Sequence, residues 1–464
     1  MQASHSDFIK DLSGLLAIPS LKDITEATEI SPFGHAVNDA LLYMLDLGEK
    51  AGFRTVNHDG YYGYIEYGPP DAEDYIAVLC HVDVVPATGT WTSDPFTPTV
   101  VDGKIVARGA IDDKGPTMAA FYALKQLKEN EPAPTHRVRL IIGTDEESGM
   151  KCMQKYVETE PPALFGFAPD ARFPIIHAEK GQINITLKLD DVHDSSSDFT
   201  LLSFVSGERG NMVPDHCKCT FKGSNMDKWM AVIEKEAREK SFPFSLVNTD
   251  EILTLTVSGK SAHGADPAQG ENAAYLAASL LDKLPLTGSQ LAYVRFITSV
   301  LQNNHYGEQL AIEHSDEITG PLTVNAGIFN FKALEGGQIS LNIRCPVTTP
   351  YEATKNNIEK VALAHGFTID AIRERNPHYV SGDHPGVQAL VQSYEEETGL
   401  EGTLLSTGGA TYARYLDSGV AFGAVFPNKV MTAHQIDEFA ELEDLYKAID
   451  IYQSALSKLV HLEK

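Results

Sequence analysis

The apolar run Tyr75-Ile76-Ala77-Val78-Leu79 passes directly into Cys80-His81-Val82-Asp83. An unbroken apolar run of this kind reads as a buried strand, and alternation along it turns His81 and Asp83 to one face at its C-terminal end. Cys80 faces the other way and belongs to the core. Residues 137–143 form a second apolar run, closed by Thr144-Asp145-Glu146-Glu147. Helical spacing covers residues 8–16, 34–51 and 115–129, and residues 61–67 follow Asp59-Gly60 as one arm of a hairpin. This alternation predicts an α/β domain with a parallel or mixed sheet. In such sheets ligands gather at the carboxyl ends of strands, where these polar residues fall.

The pattern changes after residue 180. Residues 183–189 alternate cleanly, further strand patterns cover 199–205, 217–221, 252–257 and 339–343, and helices fit 226–240, 271–284 and 351–365. Strands with one polar face and a few helices predict an α+β unit. A strand followed by a helix occurs at 217–240 and again at 339–365, a faint echo of two related halves. From Pro385 the α/β character returns with a helix to Thr398, the turn Ser406-Thr407-Gly408-Gly409-Ala410, an apolar strand over 420–426, His434 and a terminal helix. The expected organisation is one α/β domain, residues 1–180 and 384–464, interrupted by an inserted α+β domain, residues 181–383.

Composition removes some classes of function. With 64 acidic against 37 basic residues the formal net charge is -27, which repels nucleic acid and anionic membrane surfaces alike. No apolar stretch approaches the roughly 20 residues a membrane-spanning helix needs. The N-terminal residues lack the basic and apolar regions of a secretory signal. Five scattered cysteines, an odd number in a large chain, argue against a disulfide framework and for a reducing cytoplasm. Cys217-Lys218-Cys219 lacks the second ligand pair of a structural zinc motif and reads as an alternating strand.

The polar motifs can be weighed one by one. A carboxylate beside an imidazole, as in His81 and Asp83, fixes the tautomer of a metal-binding histidine. Asp112-Asp113 precede a helix, where helix capping explains an aspartate, although two adjacent acids call for a counter-charge. Asp145-Glu146-Glu147 could be a solvated loop, or could divide labour, one carboxylate on a metal and its neighbour taking a proton from water. Asp170 and His434 carry little weight singly.

Taken in order, His81-x-Asp83, Gly109-x-x-Asp112-Asp113-Lys114-Gly115, Glu146-Glu147, Asp170 and His434 resemble the M20 family of two-zinc metallopeptidases, over nearly the whole chain. The long insert, with Ser261-Ala262-His263-Gly264 and Asn342-Ile343-Arg344, is most similar to the family's bacterial dipeptidases. The resemblance implies a zinc-peptidase-like catalytic domain with a mixed sheet, interrupted by an α+β lid. It implies that Asp112 bridges two zinc ions, with His81 and Asp170 completing one site and Glu147 and His434 the other. Cobalt or manganese would suit the same ligands. Glu146 becomes the general base and Asp83 the residue that orients His81, while the Asp112–Asp113 peptide is cis. In the insert, His263 would polarise the scissile carbonyl, Arg344 would clamp a substrate carboxylate, and Asn211 would contribute nearby. Without the resemblance, His263 and Arg344 read as surface residues. Gly408 and Gly409 could offer backbone amides to a carboxylate, though turn chemistry explains them as well. The expected activity is hydrolysis of dipeptides by a monomeric cytoplasmic enzyme. An aminoacylase, an N-acyl amino acid deacylase or a carboxypeptidase of the same family would show the same motifs, as would a relative that binds metal without turnover. A dinuclear phosphoesterase would need more basic surroundings.

Overall fold

The computed structural model describes residues 5–131, 133–191, 199–249 and 252–463. The chain divides into two compact units, one running to Ala178 and resuming at Tyr379, the other Glu179–His378. Residues 379–383, assigned to the insert on sequence grounds, belong to the first unit. Among the described residues, no helix is long and apolar enough to cross a membrane.

The first unit is a mixed sheet of nine strands with helices packed on it. Its centre is parallel: Tyr75–His81 lies between Arg137–Gly143 and Phe165–Ala168, and Gly419–Ala421 pairs with the last of these. Antiparallel strands flank this centre, with the hairpin Arg54–His58 and Tyr62–Tyr67 on one side and Ile175–Glu179 on the other. Every residue of Tyr75–His81 and Arg137–Gly143 is buried, so neither strand presents an exposed polar face; Arg137 and Arg139 are buried with Glu66 as their partner. The helix Lys114–Asn130 is buried on almost all sides along its first eleven residues and packs against Leu442–Leu459. The apolar stretch expected as one strand over 420–426 is two, Gly419–Ala421 in the main sheet and Ala424–Val425 beside Ala171–Arg172. Gly423, at φ +83°, turns the chain between them.

The second unit is an eight-stranded sheet whose paired strands are all antiparallel. Gly181–Leu189 alternates buried and partly exposed residues without interruption, and its buried face joins a core with helices such as Ala273–Leu281 and Tyr351–Ala364. The sheet falls into two halves that meet where Phe199–Ser206 pairs with Thr323–Lys332. In one half His216–Gly223 leads through the helix Met226–Glu239 to the edge strand Phe244–Thr249. In the other, Gly336–Cys345 leads through Tyr351–Ala364 to the opposite edge strand, Phe367–Arg375. The faint echo in the sequence corresponds to this repeated arrangement.

Gly115 ties the first unit's core to the Asp112 turn. A Cβ at this position would lie 2.1 Å from the carbonyl oxygen of Ala110, so only glycine lets the helix start this close to the preceding turn. Gly115→Ala should therefore lose about 1–3 kcal/mol of stability, the usual range for overpacking. Urea unfolding checks this, and an unchanged midpoint would contradict the close approach.

Candidate metal centre

The adjacency of two strand ends builds the first half of the site. His81 stands opposite Gly143 in the parallel ladder, and the amide of Val82 donates to the Gly143 carbonyl at 3.1 Å. The loops after both strands therefore leave side by side. Asp83 ties them together: its Oδ1 accepts from the Glu146 amide at 3.0 Å and its Oδ2 from the Glu147 amide at 3.1 Å. The expectation that the Asp83 carboxylate orients His81 needs adjustment. His81 Nδ1 is 3.0 Å from the main-chain carbonyl of Asp83 and 3.5 Å from its carboxylate. A carbonyl can only accept, so this contact places a proton on Nδ1 and turns Nε2 toward the carboxylate of Asp112.

Asp113 corrects a second expectation. It occupies the N-cap position of Lys114–Asn130 but makes no side-chain capping bond. Its Oδ2 accepts instead from the His81 amide at 3.2 Å and from the Thr117 hydroxyl at 3.1 Å. Asp113 thus fastens the end of the His81 strand to the start of the helix that follows Asp112, a role the capping reading missed. The pairing of two adjacent acids was the available signal. The Asp112–Asp113 peptide is cis.

Asp112 lies between the two histidines. Its Oδ1 is 3.2 Å from His81 Nε2 and its Oδ2 is 3.1 Å from His434 Nε2. Asp170, just past the strand Phe165–Ala168, brings Oδ2 to 3.6 Å from His81 Nε2. Glu147 brings Oε2 to 3.1 Å from His434 Nε2. His434 sits in a left-handed turn at φ +64° and is about half exposed, unlike the fully buried His81. Two sets of donors result, His81 with Asp112 and Asp170, and Asp112 with Glu147 and His434, each with its atoms within 4.8 Å of one another. Asp112 belongs to both. Glu146 belongs to neither, yet its carboxyl feels the charges of Asp170, His81, Glu147 and Asp112.

The electrostatics show how crowded these carboxylates are. Burial, then the charge of Asp112, pushes Glu147 up to about 7 and Asp170 up to about 6. Burial and the charge of Asp170 push Glu146 well above the usual carboxylate range. For Asp112 burial acts the same way, but hydrogen bonds from His434 and His81 outweigh it and hold the group below its ordinary value. Burial disfavours charge on His81, and its contacts with Asp112, Asp170 and Asp83 more than reverse that. His434 is raised by Asp112 and Glu147, to about 10. Carboxylates and imidazoles brought this close, with no thiolate among them, form a donor set that suits a pair of divalent cations.

Within the second unit the other candidates share one neighbourhood. The Gly264 amide donates to the Asn211 carbonyl at 2.7 Å, and Met212 forms a bridge with His263. His263 is exposed as a residue; partial burial of its ring and then the charge of Arg344 lower its pKa. Arg344 is not the surface residue its strand-end position suggests, being 4% exposed. Its Nε donates to Asn342 Oδ1 at 2.9 Å, and Asn342 in turn donates to Asn184 Oδ1 at 2.6 Å. Burial, then repulsion from Arg375, lowers the Arg344 pKa to about 10. In the first unit, the Gly409 amide already donates to Thr407 Oγ1 at 3.0 Å, beside Gly408. A single short 3-10 turn, Tyr412–Tyr415, follows.

Comparison with known proteins follows the same lines. The model of peptidase family M20/M25/M40 matches residues 77–458. A Bacillus subtilis (strain 168) protein named "Putative dipeptidase YtjP" is 41% identical over 454 residues, covering 98% of this chain and 97% of its own. Among solved structures, aminoacylhistidine dipeptidase from Vibrio alginolyticus superposes with a TM-score of 0.60 at 12% identity, covering 100% of this chain and 99% of the other. An M20 family metallo-carboxypeptidase from Sulfolobus solfataricus gives 0.57 at 19% identity, covering 98% and 99%. Both structures share the fold.

The double hydrogen bond of Asp83 generates a prediction. Asn can accept through only one side-chain oxygen, so Asp83→Asn should free either the Glu146 or the Glu147 amide. Zinc affinity measured by calorimetry on chelator-stripped protein should fall about 10–100-fold, the usual cost of losing an outer-shell partner. Unchanged affinity would show that the Asp83 carboxylate does not set the ligand geometry.

Proposed function

The chain belongs to peptidase family M20/M25/M40 and is a hydrolase, and on that premise we propose that it is a dipeptidase that works with two divalent metal ions, zinc in the first instance. The observation that carries this reading is the position of Asp112, one oxygen toward His81 and the other toward His434. His81 and Asp170 would hold one ion, Glu147 and His434 the other, and Asp112 both. When bound, such a pair polarises a carbonyl and lowers the pKa of an attacking water.

The remaining chemistry falls to side chains. Glu146, in neither donor group but beside both, takes the proton of the attacking water and passes it to the departing amine. Asp83 holds the backbone of Glu146 and Glu147 so that base and ligand keep their spacing. In the second unit Arg344 takes the substrate's terminal carboxylate, with Asn342 fixing the plane of its guanidinium. A neutral His263 donates to the carbonyl oxygen as it gains charge, and Asn211 lies in the adjoining turn. We assign no substrate contact to Gly408 and Gly409, since the Gly409 amide is engaged by Thr407. The name borne by the Bacillus subtilis relative supports the dipeptide as substrate. Five buried cysteines, none in a disulfide among the described residues, fit a reducing cytoplasm.

A substrate panel tests the assignment. A dipeptide with free ends should be cleaved, a tripeptide and an N-acetylated dipeptide should be poor substrates, and chelation should abolish turnover. Cleavage of the N-acetylated compound in preference to the free dipeptide would favour a deacylase. Glu146→Ala should keep both metal equivalents and lose at least the 10²–10⁴-fold typical of general base catalysis. Loss of metal together with turnover would show that Glu146 is a ligand. Arg344→Ala should raise KM for substrates with a free C-terminal carboxylate and leave C-terminally amidated ones unaffected. An equal rise for both would remove the clamp.

A further inference from the structure

A buried ion pair outside both donor groups connects the segments that carry the ligands. Glu438 is 0% exposed and lies four residues after His434. Its Oε2 pairs with Arg108 Nη1 at 2.5 Å. Its Oε1 accepts from the amides of Ile111 at 3.0 Å and Asp112 at 3.2 Å. Its own carbonyl accepts from the Ala107 amide at 3.0 Å. Arg108 reaches a third segment through Nη2, which is 3.4 Å from the Pro86 carbonyl in the stretch that follows His81 and Asp83. The guanidinium also lies 5.0 Å from the ring centre of Trp91.

The His434 turn is closed on the same side. The Thr432 hydroxyl donates to the Phe439 carbonyl at 2.8 Å, and Asp437 accepts from the Thr92 amide and hydroxyl at 2.8 and 2.7 Å. Beyond Glu438 the strand Phe439–Glu441 pairs with Lys104–Val106, just ahead of the Asp112 turn. Residues 104–112 and 432–441 thus run together, with the Glu438 carboxylate at the point where the backbone of Asp112 is fixed. A buried carboxylate that accepts from main-chain amides and pairs with arginine is costly to desolvate, and breaking one partner leaves the other charge stranded. A surface loop with no positional demand has little use for such a group.

We propose that Glu438, with Arg108, is a positioning residue: it sets the separation of Asp112 and His434 and so the affinity of the second cation. It touches neither ion nor substrate. Its effect passes through the Asp112 backbone and through the short run back to His434. The inference rests on the metal half of the proposed function and not on the dipeptide assignment. A chain that binds two zinc equivalents without cleaving any dipeptide would sink that assignment and leave this inference intact.

Two measurements on the full chain decide it, and neither reads turnover. In metal-stripped wild-type protein, hydrogen exchange followed by mass spectrometry should show residues 109–113 protected, because the Glu438 bonds form without the ions. Exchange at the rate of an unstructured peptide would overturn the inference. In Glu438→Asp the charge beside Arg108 is kept, but the acceptor is drawn back by one methylene from the two amides. One of the two zinc equivalents should then bind about 10–100-fold more weakly by calorimetry, the range for lost outer-shell support. Wild-type affinity for both equivalents, with or without a lower melting temperature in chelator, would make the role structural and overturn the proposal. If Glu438→Asp does not fold, the exchange result on the wild-type protein decides alone.

Discussion

One carboxylate facing two imidazoles is the constraint from which the rest of the first unit follows. Asp112 can serve both His81 and His434 only if a strand end, a helix start and a distant C-terminal turn are all held to it. The strand end is fixed by the parallel ladder and by Asp113, which accepts from the His81 amide. The helix start is fixed by the close approach of Gly115 to Ala110. The C-terminal turn is fixed through Glu438. At the strand end and at the C-terminal turn a carboxylate takes a main-chain N–H, so part of the scaffold is made from the same kind of side chain as the ligands.

That choice has an electrostatic consequence. Acids used as ligands and acids used as supports crowd together, and burial adds to their mutual repulsion. The supports accept hydrogen bonds from backbone amides, as Asp83 and Glu438 do, and burial with the charge of Asp112 still raises the pKa of Glu438. The ligands have the two histidines and, on the proposed reading, two cations. Glu146 belongs to neither donor group, and burial with the charge of Asp170 holds it well above the usual carboxylate range; on the proposed reading it is the proton acceptor. The wide excess of acidic residues over the chain is not concentrated here alone, so net charge by itself located nothing.

Much of this was legible where burial is complete. Residues 75–80 and 140–142 read as strand because nothing polar interrupts them, and the polar residues after them could be placed at once. Legibility failed where packing and local pattern disagree. Thr323–Lys332 was missed because a register shift between Ala326 and Ile328 breaks its alternation. Phe367–Arg375 was missed because it is a largely exposed, charged edge strand. Asp113 looked like a cap, since its partner, the His81 amide, is 32 residues away in the chain. Arg344 looked exposed, since the strands that bury it are remote in sequence. His434 has no periodic signal around it and was found through the ordered resemblance. Glu438, four residues on, carried no such cue.

The central claim is that a single aspartate joins two metal positions. Crystals grown with zinc and measured on both sides of the zinc absorption edge test it most directly. The account predicts two anomalous peaks per chain, each about 2.0–2.2 Å from a different oxygen of Asp112, one reached by His81 and the other by His434. A lone peak, or two peaks of which either lies out of reach of Asp112, would contradict it.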